Sequence, residues 1–328
     1  MTTGLWAAVS GLPAAAVLGA VPPACRRGVD AASAWAEGDA TVVETPAWPA
    51  DGATHFVPAF SALTDTPFSV RLELSARVAG AWSPWVAGVG LGGAPFTPLA
   101  DAPPLSVDVD VFRAGSLVDA VRVRARIRAT EPAAIVRAPW LLTLSAADGA
   151  PSVALAAAGA ARLTVPALSQ MEADAAIARR ICSPACVAMV LDFWRRPVAP
   201  AALAAEMFHP GTDLYGIWPA AVMAAARRGI AGYLLRFPDW PSAAWCLEQG
   251  IPVIASIRYA AGELTNAAVP ETAGHLVVLT GIEGDDALVN DPAAPTSATV
   301  PRRYKITELS RVWLERTAIG YVLFPPRR

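Results

Sequence analysis

Two periodicities divide the chain. Between about Thr41 and Ala147, short apolar runs recur at Ala53–Phe60, Phe68–Val78, Trp82–Val89, Leu105–Phe112, Val121–Ile127 and Trp140–Leu144, separated by turn residues. Several alternate with period two, as in Ser69-Val70-Arg71-Leu72-Glu73-Leu74 and Val121-Arg122-Val123-Arg124-Ala125-Arg126-Ile127. Such alternation puts aliphatic side chains on one face and charged ones on the other, the signature of a half-buried antiparallel strand. The spacing predicts a β-sandwich over residues 1–155.

From about Leu163 the pattern turns helical, at Ala185–Trp194, Pro200–Met207, Pro219–Arg228 and Pro241–Gln249, and then strand-like at Pro252–Tyr259, Leu276–Ile282 and Ala287–Val289. Helices first and sheet afterwards predict an α+β domain over residues 160–328. The Ala/Gly-rich stretch Asp148–Ala161 reads as the linker between the two.

Composition narrows the partners. At 328 residues the chain can bury two cores without disulfides, and the excess in its 54% apolar content is largely alanine spread through the sequence. A net charge of −2 and no basic cluster argue against nucleic acid, and no run is long and apolar enough for a membrane span. The first 25 residues are uncharged but broken by Gly and Pro, with Arg26 and Arg27 after them instead of before, so cytoplasm is favoured over export. Compartment otherwise stays open.

Cys182 is the first candidate for chemistry. Ser183 and Pro184 look like the cap and first position of the apolar helix that continues through Ala185-Cys186-Val187-Ala188-Met189-Val190-Leu191, placing Cys182 just ahead of it. The positive end of a helix favours thiolate there. Cys186 lies inside the helix and reads as core, and nothing around Cys25 or Cys246 suggests chemistry. With no CxxC pair, a zinc site lacks ligands, so neither metal nor cofactor is expected.

A cysteine nucleophile needs a base. Of the three histidines, His55 falls in a strand run and His209 in a Pro-Gly turn, whereas His275 follows Gly274 and opens the strand Leu276-Val277-Val278-Leu279-Thr280. That strand turns through Glu283-Gly284-Asp285-Asp286 into a second, which ends at Asn290-Asp291. The hairpin would return Asp291 to His275, where its carboxylate accepts the Nδ1 proton; Asn290 is the alternative orienter. Gln170, with the Cys182 N–H, would supply an oxyanion hole.

Gln170, the Ile181–Leu191 block, Tyr215-Gly216-Ile217-Trp218-Pro219, Gly274-His275-Leu276-Val277-Val278-Leu279 and Asn290-Asp291-Pro292-Ala293-Ala294 together resemble the C39-like cysteine peptidases of the papain-like superfamily. The resemblance covers about Leu163 to Pro325. It implies a papain-like fold with Cys182 as nucleophile, His275 as general base and acid, Asp291 as orienter and Gln170 as oxyanion donor. Ser183 stands where many members have Gly, and Gln170 lies further from the cysteine than in the transporter-linked members. The leader-peptide substrates of those members are not carried over.

Tyr215, Gly216 and Trp218, together with Gly274, are expected to wall the cleft. The first half looks like the β-sandwich that precedes the peptidase domain in some relatives, Trp82-Ser83-Pro84-Trp85 being its most distinctive piece; a glycan or peptide is its candidate ligand. Hydrolysis of a peptide or amide bond is the expected activity. An acyltransferase or transglutaminase-like enzyme on the same triad, and an inactive polymer- or peptide-binding protein, are the alternatives.

Overall fold

The computed structural model describes residues 3–149 and 161–326. The expected linker, Asp148–Ala161, lies almost wholly outside the described residues. The chain divides into two compact units. The first holds the residues up to Gly149 together with Ile217–Leu234; the second holds the segment up to Gly216 together with Leu235–Phe324.

In chain order the first unit begins β1 Thr3–Ser10, α1 Ala14–Gly19, β2 Arg26–Asp30, β3 Ser33–Glu37, β4 Ala40–Glu44, β5 Trp48–Pro49, β6 His55–Ala62, β7 Ser69–Val78 and β8 Ala81–Trp82. It continues β9 Val86–Leu91, β10 Leu105–Asp108, β11 Val111–Ala114, β12 Ala120–Arg128, α2 Pro132–Arg137 and β13 Trp140–Ala147. One sheet runs β10-β11-β6-β13-β1-β2; the other runs β3-β4-β12-β7-β8, with β5 on β12 and β9 on β7. Pairing is antiparallel except for β1 with β2.

The alternation along β12 is realised: Val121, Val123, Ala125 and Ile127 are buried while Arg122, Arg124, Arg126 and Arg128 are half-exposed. The expected solvent face of β7 is not. Arg71 and Glu73 are only 6% and 1% exposed, because Arg71 Nε and Arg126 Nε both donate to Glu73 Oε1 and Phe96 covers the Arg71 guanidinium.

The whole charged face of β12 is dressed this way. Arg122 stacks 4.0 Å from Trp82 and Arg124 3.9 Å from Trp85, both arginines reach Glu44, and Arg126 and Arg128 reach Glu37 and Asp39. The Trp82–Trp85 segment is tied to β7 through Ser83, whose Oγ accepts from Ala76 N and whose carbonyl accepts from Ser75 Oγ.

The run expected as one strand at Leu105–Phe112 is a tight hairpin, β10 to β11, turning at Val109 with φ of 58°. Sequence alternation does not register the reversal, because valine is a poor turn residue whose side chain resists positive φ.

From Ala161 onward come β14 Ala161–Arg162, α3 Cys182–Phe193, α4 Pro200–Met207, α5 Trp218–Ala226, β15 Ala231–Arg236 and α6 Trp240–Glu248. These are followed by β16 Val253–Tyr259, β17 Thr272–Glu283, β18 Asp286–Asn290, β19 Pro301–Lys305, α7 Ile306–Leu309 and β20 Ile319–Phe324. The second unit is mixed α+β. Its strands run β20-β16-β17-β18-β19, with β14 added along β17.

Helix α3 is apolar on all sides because it is buried on all sides: every residue from Ser183 to Leu191 is buried, and it packs on β17 and α4. Gly281 is obligatory for the join of β14 to β17, since a Cβ there would lie 2.4 Å from the Ala161 carbonyl oxygen. No helix among the described residues is long and apolar enough to cross a membrane.

Candidate active site

Helix α3 begins one residue earlier than the sequence suggests. Cys182 is its first residue and Ile181 its N-cap, with no side chain capping the first turn. Ser183 is therefore not the cap: fully buried, its Oγ lies 3.3 Å from the Tyr321 hydroxyl. Of the four cysteines, all without disulfides, only Cys182 is partly exposed.

The β17–β18 hairpin closes through Gly284 and Asp285, with Glu283 opposite Asp286 and Gly284 at φ of 58°. Asn290 lies opposite Val278, so the chain beyond it runs on toward the His275 end of β17. Strand β17 starts at Thr272, which places His275 inside the strand, opposite Ile257 of β16. Gly274 beside it is exposed, with open space where a Cβ would be.

His275 and Asp291 meet at 2.7 Å, and both are buried. The nitrogen facing the carboxylate is Nε2 rather than the expected Nδ1. With Nε2 engaged, Nδ1 is the ring nitrogen left for the hydrogen bond that joins His275 to the Cys182 thiol.

Asp291 Oδ1 also accepts from Ala293 N at 2.9 Å, and Oδ2 accepts from the Tyr304 hydroxyl. Asn290, the alternative orienter, points elsewhere. Its side-chain nitrogen donates to the carbonyls of Val165 and Pro166, on the segment leading to Gln170.

The electrostatics follow from this chain of bonds. Burial opposes charge on the Cys182 thiol, but the hydrogen bond and positive charge of His275, with the Leu276 and Ser183 N–H groups, hold it below the ordinary thiol range. Burial likewise opposes the imidazolium, yet Asp291 and then Cys182 push His275 up to about 10. Asp291 is driven upward by burial and pulled down further by His275, Tyr304 and Ala293, ending below the usual carboxylate range.

Cys186, one turn into α3, goes the other way: burial and the neighbouring Cys182 push its thiol well up, and its Sγ donates to the Leu276 carbonyl. The Leu276 peptide thus donates to one sulfur and accepts from the other.

Gln170 is buried. Its Nε2 donates to the Ala178 carbonyl at 2.8 Å, which leaves a second N–H on that nitrogen, and its Oε1 has no partner. Its loop is stitched to the segment after Asp291: Gln170 N donates to Pro292 O, Ser169 Oγ donates to Ala294 O, and Glu172 accepts from both N and Oγ of Ser297. The bond from Gln170 Nε2 to Ala178 O folds back the long connection between Gln170 and Cys182.

The aromatic segment splits. Tyr215 and Gly216 belong to the second unit, where the Tyr215 ring lies tilted against Phe208, centroids 4.7 Å apart, and under the Arg180 guanidinium at 5.1 Å. Arg180 in turn pairs with Asp213 at 2.7 Å. A Cβ on Gly216 would lie 3.8 Å from the Ser183 Cβ, so this turn lies beside the start of α3. Trp218 belongs to the first unit, heading α5, and its N–H donates to Asp110 Oδ2 at 2.8 Å.

His209 Nδ1 lies 2.9 Å from Thr212 Oγ1 in its turn, and His55 Nδ1 lies 3.0 Å from Thr54 Oγ1 at the start of β6. Tyr304 is the site residue that sequence reasoning misses. Its only local signal is one aromatic in the charged run Pro301-Arg302-Arg303-Tyr304-Lys305, the sole buried residue of β19.

Residues 162–321 match the model of the Peptidase_C39 like family. No curated protein matches. Among solved structures, a double glycine motif protease from an AMS/PCAT transporter, in complex with the leader peptide, is 21% identical; the match covers 50% of this chain and 94% of that one, with a TM-score of 0.34. The peptidase domain of Streptococcus ComA, a bi-functional ABC transporter involved in quorum sensing, is 16% identical over 49% of this chain and 98% of that one, with a TM-score of 0.36. A protein described as a C39-like peptidase from Bacillus anthracis is 15% identical over 52% and 99%, with a TM-score of 0.40. The part of this chain that is similar to the Peptidase_C39 like family is thus its C-terminal region, residues 162–321, which holds the candidate site.

Proposed function

We propose that the chain is a cysteine peptidase acting through Cys182, His275, Asp291 and Gln170, with residues 1–155 as a β-sandwich accessory domain and 160–328 as the peptidase domain. The observation that carries this is the continuous hydrogen-bonded series from a partly exposed thiol at a helix start, through His275, to a buried carboxylate. The family match supports a peptide as the substrate class.

Cys182 Sγ, as thiolate, attacks the scissile carbonyl carbon, and the Cys182 N–H with the second Nε2 hydrogen of Gln170 receives the oxyanion. The C–N bond then breaks as His275 gives its Nδ1 proton to the leaving amine, leaving an acyl thioester on Cys182. Neutral His275 takes a proton from water, the new C–O bond forms and the C–S bond breaks. Thiolate and imidazolium are thereby restored. Asp291 keeps the ring oriented throughout by holding Nε2. Tyr215, Gly216 and Gly274 wall the cleft beside the thiol.

The test is cleavage of a peptide library read by mass spectrometry, alongside alkylation of Cys182. Cleavage should vanish in Cys182→Ala, and wild-type Cys182 should react faster than an ordinary exposed thiol. Cleavage that survives in Cys182→Ala sinks the reading. A new amide formed with added amine, in preference to acid, would mark an acyltransferase instead.

A further inference from the structure

Asp291 is fully buried, and its two oxygens are not served alike. Oδ1 takes two donors, His275 Nε2 and Ala293 N, whereas Oδ2 takes the Tyr304 hydroxyl. Tyr304 is itself fully buried, fixed on β19 by pairing opposite Ala287 of β18. We propose that Tyr304 is a positioning residue of the site, whose phenol fixes the rotamer of Asp291 and keeps its carboxylate ionised so that the proton shared with His275 stays on the ring. This rests on the peptidase reading only for its catalytic consequence.

A carboxylate removed from water is ionised only while donors replace the lost hydration. Remove the phenol and Oδ2 has no donor. The acid form then gains, the shared proton moves toward Asp291, and His275 is neutral over a wider range of pH. Cys182 loses the imidazolium that favours its thiolate.

Tyr304 suits this role because burial and the Asp291 charge push its own ionisation far up, leaving it a donor at any working pH. The other titratable groups that bear on this cluster are Cys182 and Cys186 of α3, Tyr259 of β16 and Arg302 of β19. Tyr259 does not compete for the carboxylate, since its hydroxyl donates to Val269 O.

The experiment uses the full chain as wild type, Tyr304→Phe, Tyr259→Phe and a variant with 3,5-difluorotyrosine at 304. That last variant keeps the shape of the ring and strengthens the donor. Two curves are recorded against pH: the iodoacetamide alkylation rate of Cys182, and the imidazole nitrogen shifts of His275, one of only three histidines.

In Tyr304→Phe the acid limb of alkylation should move up by about one pH unit and His275 should titrate lower. Difluorotyrosine should move both curves the opposite way, and Tyr259→Phe should superimpose on wild type. Curves for Tyr304→Phe that coincide with wild type overturn the assignment. If Tyr304→Phe does not fold, the difluorotyrosine variant decides, and no shift in either of its curves overturns it. Should wild-type Cys182 react like an ordinary thiol while the His275 titration still moves in Tyr304→Phe, the peptidase reading fails and the role of Tyr304 stands.

Discussion

Charge is arranged in two contrasting ways in this molecule. On β12, Arg122, Arg124, Arg126 and Arg128 share Glu37, Asp39, Glu44 and Glu73, with Trp82, Trp85 and Phe96 lying against the guanidinium groups. Much of that face touches water, and most members have more than one partner. In the second unit one imidazole stands between one thiol and one carboxylate, with His275 and Asp291 buried and Cys182 the partly exposed residue of the three. Redundancy makes the first a piece of architecture in which a lost member is replaced by a neighbour. In the proposed mechanism, lack of redundancy is what lets the second move a proton, because no other group takes over its charge.

The largest expected effect separates chemistry from stability. Cys182→Ala should lower peptide cleavage by about 10⁴-fold or more with an unchanged melting temperature, as measured by initial rates and calorimetry.

Next comes the direct contrast between carboxylates. Asp291→Ala strands a buried His275 and the Tyr304 hydroxyl, and should cost about 3–5 kcal/mol in urea unfolding. Glu37→Ala, removing a half-exposed partner of Arg126, should cost under about 1 kcal/mol. Comparable losses would erase the distinction between the two regions.

A third test is the dependence on pH. His275 is raised to about 10, so the stability it contributes is complete below its unfolded value and is lost as pH rises through about 10. Cleavage should fall over the same alkaline limb, as the proton for the leaving amine disappears. Arginines on β12 keep their charge across that range, so the excess alkaline loss of stability should vanish in His275→Ala and persist in Arg124→Ala.

A second pH effect, in the first unit and opposite in sign, concerns Asp110, which borders a small cavity lined by Leu72, Val89, Phe112, Ile217 and Pro219. Burial pushes it up to about 7, against the Trp218 N–H that pulls it down. A carboxyl so raised binds its proton in the folded state first, so stability falls as pH rises from about 4 to 7. Asp110→Asn, which still offers an oxygen to Trp218 N, should flatten that fall in a series of thermal melts.

How much of this is written in the sequence depends on range. The helix that follows Ile181 and the hairpin from His275 to Asn290 are local patterns, and the structure has both, with the helix starting one residue earlier than the runs of residues place it. The ring nitrogen that faces Asp291 is not legible in the same way, because rotamer choice is decided by packing around β16 and β17. Tyr304 escapes notice because its meeting with Asp291 depends on the register of β19 against β18, which no alternation within Pro301–Lys305 specifies. Strands β1 to β5 are hidden for a different reason: they carry no clean alternation and become strands by pairing, β1 with β13, β2 with β1, β3 with β4, and β4 and β5 with β12.

Helix α3 is complete in the chain long before β17, β18 and β19, the strands that supply His275, Asp291 and Tyr304. The contact of Cys182 with His275 closes a loop of some ninety residues, and such a closure is slow compared with forming a helix. Until the sheet is assembled, Cys182 is an ordinary sulfhydryl on a greasy segment, indifferent to nearby peptide bonds. On the proposed mechanism its reactivity arrives with the last strands, so the rate of Cys182 labelling during refolding should time the completion of the domain.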